Sequence, residues 1–275
     1  MSATISVDVA VVGAGLAGLA AARHLVSRGL DDVVVIDGRG EPGGKCVQRT
    51  VDGFHADCGA GWTAAGQHHI KTLAKEVGVD TYPTEVAGGQ TIHLAGGSVR
   101  YLTPGDIGVS GQAKREFEHI VAELERLSKR VPAARPWEAD DADELDAITV
   151  DAWIRDHTTT ADARSLALHL FDSAVVPPRL MSMLSAMTFF ASCGGLSGLE
   201  TEADELFVGG AAQIPRRVAD QLGDRVELDW PATEIRWSDR TAIVTGPAGV
   251  LNARKVIVAM SPADARRISF SPGLT

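Results

Sequence analysis

Three glycines, an aspartate and two cations are spaced as a nucleotide site would need them. Gly13, Gly15 and Gly18 form a G-x-G-x-x-G run, and Asp37 lies 19 residues beyond the last of them. An apolar, β-branched run from Val7 to Val12 leads into the glycines, and an Ala/Leu-rich pattern follows. That order predicts a buried parallel strand, a tight turn and a helix. Gly13 would let the chain turn, Gly15 would let backbone approach a pyrophosphate, and Gly18 would let helix and strand pack closely. Unpaired amides at the helix start would face the anion. A second strand, "DVVVID", ends in Asp37, whose carboxylate can accept hydrogen bonds from a ribose diol. NAD and FAD both use this device.

The next stretch, "GRGEPGGKC" (38–46), adds a second glycine turn, Gly43 and Gly44, with Arg39 and Lys45 beside it. It resembles the double-glycine motif of the flavin amine oxidase superfamily, in which an arginine usually follows the two glycines. Lys45 supplies the charge as a point and not as a planar fork. The similarity continues through "FHADCGAGWTAAGQ" (54–67), where Asp57, Gly59, Ala60, Gly61 and Trp62 match the family segment that approaches the flavin. Gly61 stands where many members carry a polar side chain. The stretch 206–235 is similar to the family's later glycine turn, helix and adenine-side strand, with Val226 where backbone meets adenine. Residues 255–275 resemble the strand and loop that return to the cofactor, with Ala259 at the contact position. The resemblance implies an α/β fold: a Rossmann-like FAD-binding domain with an inserted, mainly helical, partial substrate domain. It also implies noncovalent FAD, because no residue matches the family's covalent attachment position.

The elements that position these residues divide by chain order. The cofactor domain is expected at 1–82 and again at 206–275, with the helical part at 83–205. In "QAKREFEHIVAELERLSKR", Phe117, Ile120, Val121, Leu124 and Leu127 share one helical face. Two shorter helical stretches follow, "VDAWIRDH" and "ARSLALHLFDSAV"; Pro177 and Pro178 then precede "RLMSMLSAMTFFASCGG". In the family this part walls a substrate cavity, and the resemblance brings Asp172, Ser173, Phe189, Phe190, Cys193 and Leu199 near it. Core packing is the alternative for the two phenylalanines. His68 and His69 open a helix beside Gln67 and read as solvated.

Composition narrows the function. With 26 basic and 36 acidic residues among 275, the net charge of −10 argues against nucleic acid or an anionic membrane as partner. The run "EADDADELD" (138–146) lacks the spacing of a calcium loop and reads as a solvated linker. Cys46, Cys58 and Cys193 show no paired spacing, which fits a reducing compartment, and a cytoplasmic protein is expected. No Ser/His/Asp set, CxxC pair, HExxH motif or metal cluster is present, so a bound cofactor must carry the hard chemistry and the catalytic residues stay unassigned.

In the resembling family that chemistry removes a hydride equivalent from a carbon next to nitrogen. A flavin-dependent amine or amino-acid oxidase is therefore expected, with a small-molecule amine as substrate. A desaturase of the phytoene or protoporphyrinogen type, which shares both glycine motifs, is the second reading. A nucleotide-binding subunit without its own complete active site is the third. Family members continue past the position of Thr275, so a second polypeptide supplying the C-terminal half is expected, with truncation of a longer chain as the alternative. Asp172, if it faces the cavity, would favour a diamine or a zwitterion.

Overall fold

The computed structural model describes residues 4–63, 67–84, 90–93, 99–102, 107–171, 176–196 and 205–274. Two compact units result: residues 1–63, 67–83 and 204–275 form one, and residues 64–66 and 84–203 the other.

The first unit is a mixed α/β layer structure around a seven-stranded sheet. Its strand order is Val226–Glu227, Val33–Ile36, Thr4–Val12, Gly249–Val258, Ala242–Gly246, Glu234–Trp237 and Ser269–Ser271. The first four are parallel neighbours, with Val9 opposite Val33 and Thr4 opposite Val250. The β-branched run is buried on both faces, as a central parallel strand must be. Val9 and Val11 point into a cluster with Leu19, Ala22, Ile214 and Val218, the inner faces of helices Leu16–Ser27 and Gln213–Leu222. Ala10 and Val12 point the other way, toward Ile36, Trp230, Ile235, Val244 and Leu251. Burying a valine such as Val11 contributes about 1.5–3 kcal/mol. The antiparallel pairing of Ala242–Gly246 with both its neighbours was not read from the sequence.

The second unit is mainly helical. Helix Gly111–Ser128 buries Ile120, Leu124 and Leu127, on the face that the spacing predicts. They meet Trp153, Ile154, Phe171, Met183, Met187 and Phe190 in one core. Thr149, Thr160 and Ser182 each accept a backbone amide at a helix start, which sets where three helices begin. Glu116 ties two helices together. Its carboxylate accepts the Thr160 amide at 2.9 Å, the Thr160 hydroxyl at 2.8 Å and the Thr159 amide at 3.1 Å, together with the Thr159 hydroxyl. Those hydrogen bonds, the Thr159 hydroxyl first, lower its pKa from 4.5 to about 2. Strands Gln90–His93 and Val99–Leu102 add an antiparallel pair that the helical reading of this stretch did not include.

The acidic run 138–146 leads into the short helix Ala142–Ala147, preceded by Asp141 in an ion pair with Arg130. Among the described residues no group of His, Cys, Asp or Glu is arranged to hold a metal. Among them, too, no helix is long and apolar enough to cross a membrane.

Candidate functional site

A cleft of about 1010 Å³ opens in the first unit at the C-terminal ends of the parallel strands. One wall is the glycine turn between strand Thr4–Val12 and helix Leu16–Ser27. Gly13 adopts φ +115°, and a Cβ there would lie 2.7 Å from the Ala259 carbonyl oxygen, so no other residue fits. Gly18 packs behind it, where a Cβ would come against the Gly13 carbonyl oxygen. Gly15 differs from both. Its φ of −79° and ψ of 178° suit any residue, and a Cβ would meet only the Gly44 Cα, at 3.7 Å. No side chain caps the helix that begins after it. Uncapped amides at a helix start are an anion site.

The second glycine turn comes against the first. Gly15 and Gly43 form an isolated parallel bridge, and the Gly43 amide donates to the Ala14 carbonyl at 2.8 Å. Arg39 is fixed to this turn by donating from Nη1 to the Gly44 carbonyl at 2.8 Å. Lys45 also lines the cleft. Asp37 joins the two turns: Oδ2 accepts the Ala14 amide at 2.8 Å and Oδ1 the Arg39 amide at 2.9 Å. An ionised carboxylate has about four acceptor positions, so two bonds leave capacity for a ribose.

Nine of the candidate residues line this cleft: Gly13, Gly15, Asp37, Arg39, Gly43, Gly44, Lys45, Ala60 and Ala259. Gly18 and Gly59 support it from behind, since a Cβ on Gly59 would run into the Lys45 carbonyl. Gly61, Trp62 and Val226 are not among the lining residues. Gly61 backs onto Asp57, Trp62 is 57% exposed opposite Leu206, and Val226 pairs with Val35 at the sheet edge. Asp57 holds the later glycine turn, accepting the Ala211 amide at 3.0 Å. Cys46 also lines the cleft. Burial, and then the charge of Asp57, push its thiol pKa above the usual 9.0.

Sequence reasoning missed Trp230 to Thr233 and Ser261, Asp264, Arg267 and Ile268, all of which line the cleft. Trp230 donates its amide to the Asp37 carbonyl, and a Cβ on Gly38 would lie 3.1 Å from the Pro231 Cβ. Neither contact has a signature in spacing.

In the helical unit, Phe190 is 1% exposed and belongs to the core, with Phe171 at a ring distance of 5.3 Å. Phe189 is 37% exposed, and Cys193 is half-buried just past the helix end. Asp172, Ser173 and Leu199 lie outside the described residues. His68 and His69 are exposed at the start of helix His68–Glu76.

The cleft fits a dinucleotide. Its volume is at the upper end of the roughly 300–1,000 Å³ usual for ligand sites. At Gly15, moreover, neither backbone nor packing of the chain itself requires glycine, so the close approach serves something in the cleft. Fold and cleft together define a dinucleotide-binding α/β protein of the Rossmann-like type.

Comparison with known proteins makes this specific. The family described as flavin containing amine oxidoreductase matches residues 16–275, and the chain belongs to that family. It is 34% identical over 275 residues to AofH of Mycobacterium tuberculosis, covering 98% of this chain and 60% of that protein. Against the putrescine oxidase of Kocuria rosea it is 33% identical, covering 97% and 59%. Among solved structures it is similar to putrescine oxidase bound to putrescine, with a TM-score of 0.92 and 30% identity over 99% of this chain and 62% of that one. The chain thus spans about 60% of the length of these relatives. FAD is the cofactor that family membership brings, as the two glycine turns imply.

Proposed function

We propose that this chain holds FAD noncovalently in the cleft and serves flavin-dependent oxidation of an amine. The observation that carries the reading is the meeting of the two glycine turns at Gly15 and Gly43, with Arg39 and Lys45 beside them. On this reading the amides after Gly15 and the charge of Lys45 hold the pyrophosphate, while Arg39 braces the second turn. Asp37 takes the ribose and locks both turns through its carboxylate, which accepts the Ala14 and Arg39 amides. Ala60 and Ala259 give the cofactor small, close walls, and the domain boundaries near 82 and 206 separate this holding part from the substrate part. Bound flavin supplies the hydride acceptor for the carbon next to nitrogen.

The substrate proposed is a small diamine. Similarity to a putrescine oxidase supports it, as does the placing of Asp172 by family resemblance in the substrate wall with Ser173, Phe189, Phe190, Cys193 and Leu199. Phe189 is the described aromatic of that set whose ring is open to solvent.

Acid precipitation of the purified flavoprotein tests the cofactor: yellow flavin is expected in the supernatant, and flavin remaining on the polypeptide refutes noncovalent binding. Peroxide release on putrescine, simple monoamines and amino acids tests the substrate, with the diamine expected to be fastest.

A further inference from the structure

We propose that Arg267 is a cofactor-binding residue that recognises the adenine ring through its planar guanidinium. The inference rests on the cleft holding FAD. Three cations line the cleft, Arg39, Lys45 and Arg267, and among the described residues the charged side-chain group of none of them pairs with a carboxylate. Arg39 and Lys45 belong to the second glycine turn. Arg267 belongs to a different wall, the connection from Ser261 to Ile268 that follows strand Gly249–Val258.

That wall stands with the ribose acid. Ile268 shares a core cluster with Trp230 and Ile36, the residue before Asp37. The Trp230 amide donates to the Asp37 carbonyl and the Asp229 amide to the Arg39 carbonyl, so the segment leading to Thr233 is pinned to the same turn. Trp230 to Thr233 line the cleft together with Arg267. A group beyond the ribose on this side is the adenine. The pyrophosphate has its own cradle at Gly15, Gly43 and Lys45.

Arg267 is also available. Its side chain is exposed and, among the described residues, has no hydrogen-bonding partner. The acid that could neutralise it from one helical turn away, Asp264, instead accepts the Ser261 hydroxyl at 2.7 Å. Ser261 in turn caps the short helix Pro262–Ala265, which fixes the start of the connection. A guanidinium can lie flat on a purine and donate from its edge to ring nitrogens, which an ammonium cannot do.

The test compares wild type, Arg267→Ala and Arg267→Lys, each stripped of flavin, by titration with FAD and with ADP over a salt series. ADP carries the adenosine and pyrophosphate without the flavin. Arg267→Ala is expected to weaken both ligands about tenfold, the size of one stacked base, at unchanged melting temperature. Arg267→Lys is expected to stay within about twofold of the alanine variant, and the loss to persist at high salt. Wild-type affinity in Arg267→Ala overturns the proposal. Full rescue by lysine, with a loss that vanishes in salt, overturns it too, because the arginine would then act as a charge on phosphate. Failure of the wild type to bind FAD or ADP would instead sink the cofactor reading itself.

Discussion

Gly15 offers a separation of binding from folding that the neighbouring glycines do not. Its backbone angles are open to alanine, and an added methyl meets the protein only at 3.7 Å. Two small effects on stability oppose each other. Alanine narrows the unfolded ensemble, worth about 0.4–1 kcal/mol, but starts a helix less well than glycine by a similar amount. The net is within about 0.5 kcal/mol, a shift of about 1–2 °C in a unit of this size. Binding should respond far more. A methyl that holds the pyrophosphate off the helix amides removes about one hydrogen bond to a charged group, about 1.5–3 kcal/mol, or roughly 10- to 150-fold in affinity. Flavin retained per polypeptide after gel filtration, beside the melting temperature of the stripped protein, is the assay. Gly18→Ala is the contrast: its Cβ would collide with the Gly13 carbonyl, so overpacking should cost about 1–3 kcal/mol and lower the melting temperature. Gly15→Ala holding flavin as tightly as wild type would refute the assignment of the pyrophosphate to this turn.

Three further outcomes are expected. Glu116 has a folded pKa of about 2 against an ordinary 4.5, so its stabilising hydrogen bonds are fully present above pH 4.5 and are lost as pH falls toward 2. The melting temperature of Glu116→Gln should therefore lie below wild type at neutral pH, with the gap closing between pH 4.5 and 2; a pH-independent gap would disprove the linkage. Phe190→Ala should cost about 3–5 kcal/mol by chemical denaturation, because it empties a core position 1% exposed. Phe189→Ala should cost under about 1 kcal/mol while raising KM for the amine, and a silent KM would remove Phe189 from the substrate wall.

What the sequence made legible follows from where local chemistry decides structure. The strand–glycine–helix order around Gly13 to Gly18 was readable because Gly13 answers a turn, Gly18 close packing and Gly15 the approach of a ligand, all within one short stretch. The same holds for helix Gly111–Ser128, whose apolar spacing repeats from Phe117 to Leu127, about three turns. Adjacent identical residues were not separable: Phe189 and Phe190 differ by 100° around one helix, and only the packing of the unit selects Phe190 for the core. Trp230 and Arg267 escaped for another reason. They reach the cleft through strand order, which joins segments far apart in the chain and leaves no periodic trace. Val226 shows the converse: its place beside Val35 at the sheet edge sets the strand, but not a wall of the cleft.

The pairing of Thr4–Val12 with Gly249–Val258 has a consequence for how the protein is made. Thr4 and Val250 are neighbours in the sheet yet 246 positions apart in the chain, whereas Val9 and Val33 on the other side are only 24 apart. Loop closure over the longer span costs about 2 kcal/mol more if the intervening chain is unstructured. During synthesis the first strand can meet Val33–Ile36 early, but its other edge has no partner until the residues near 258 have been made. Through that interval a nascent sheet with a β-branched, unpaired edge is exposed, which is the condition that invites mispairing with other chains. Early folding of the helical segment between the two strands would shorten the effective loop. The order in which the two edges of the first strand find partners is thus set by the same crossover that completes the cofactor cleft.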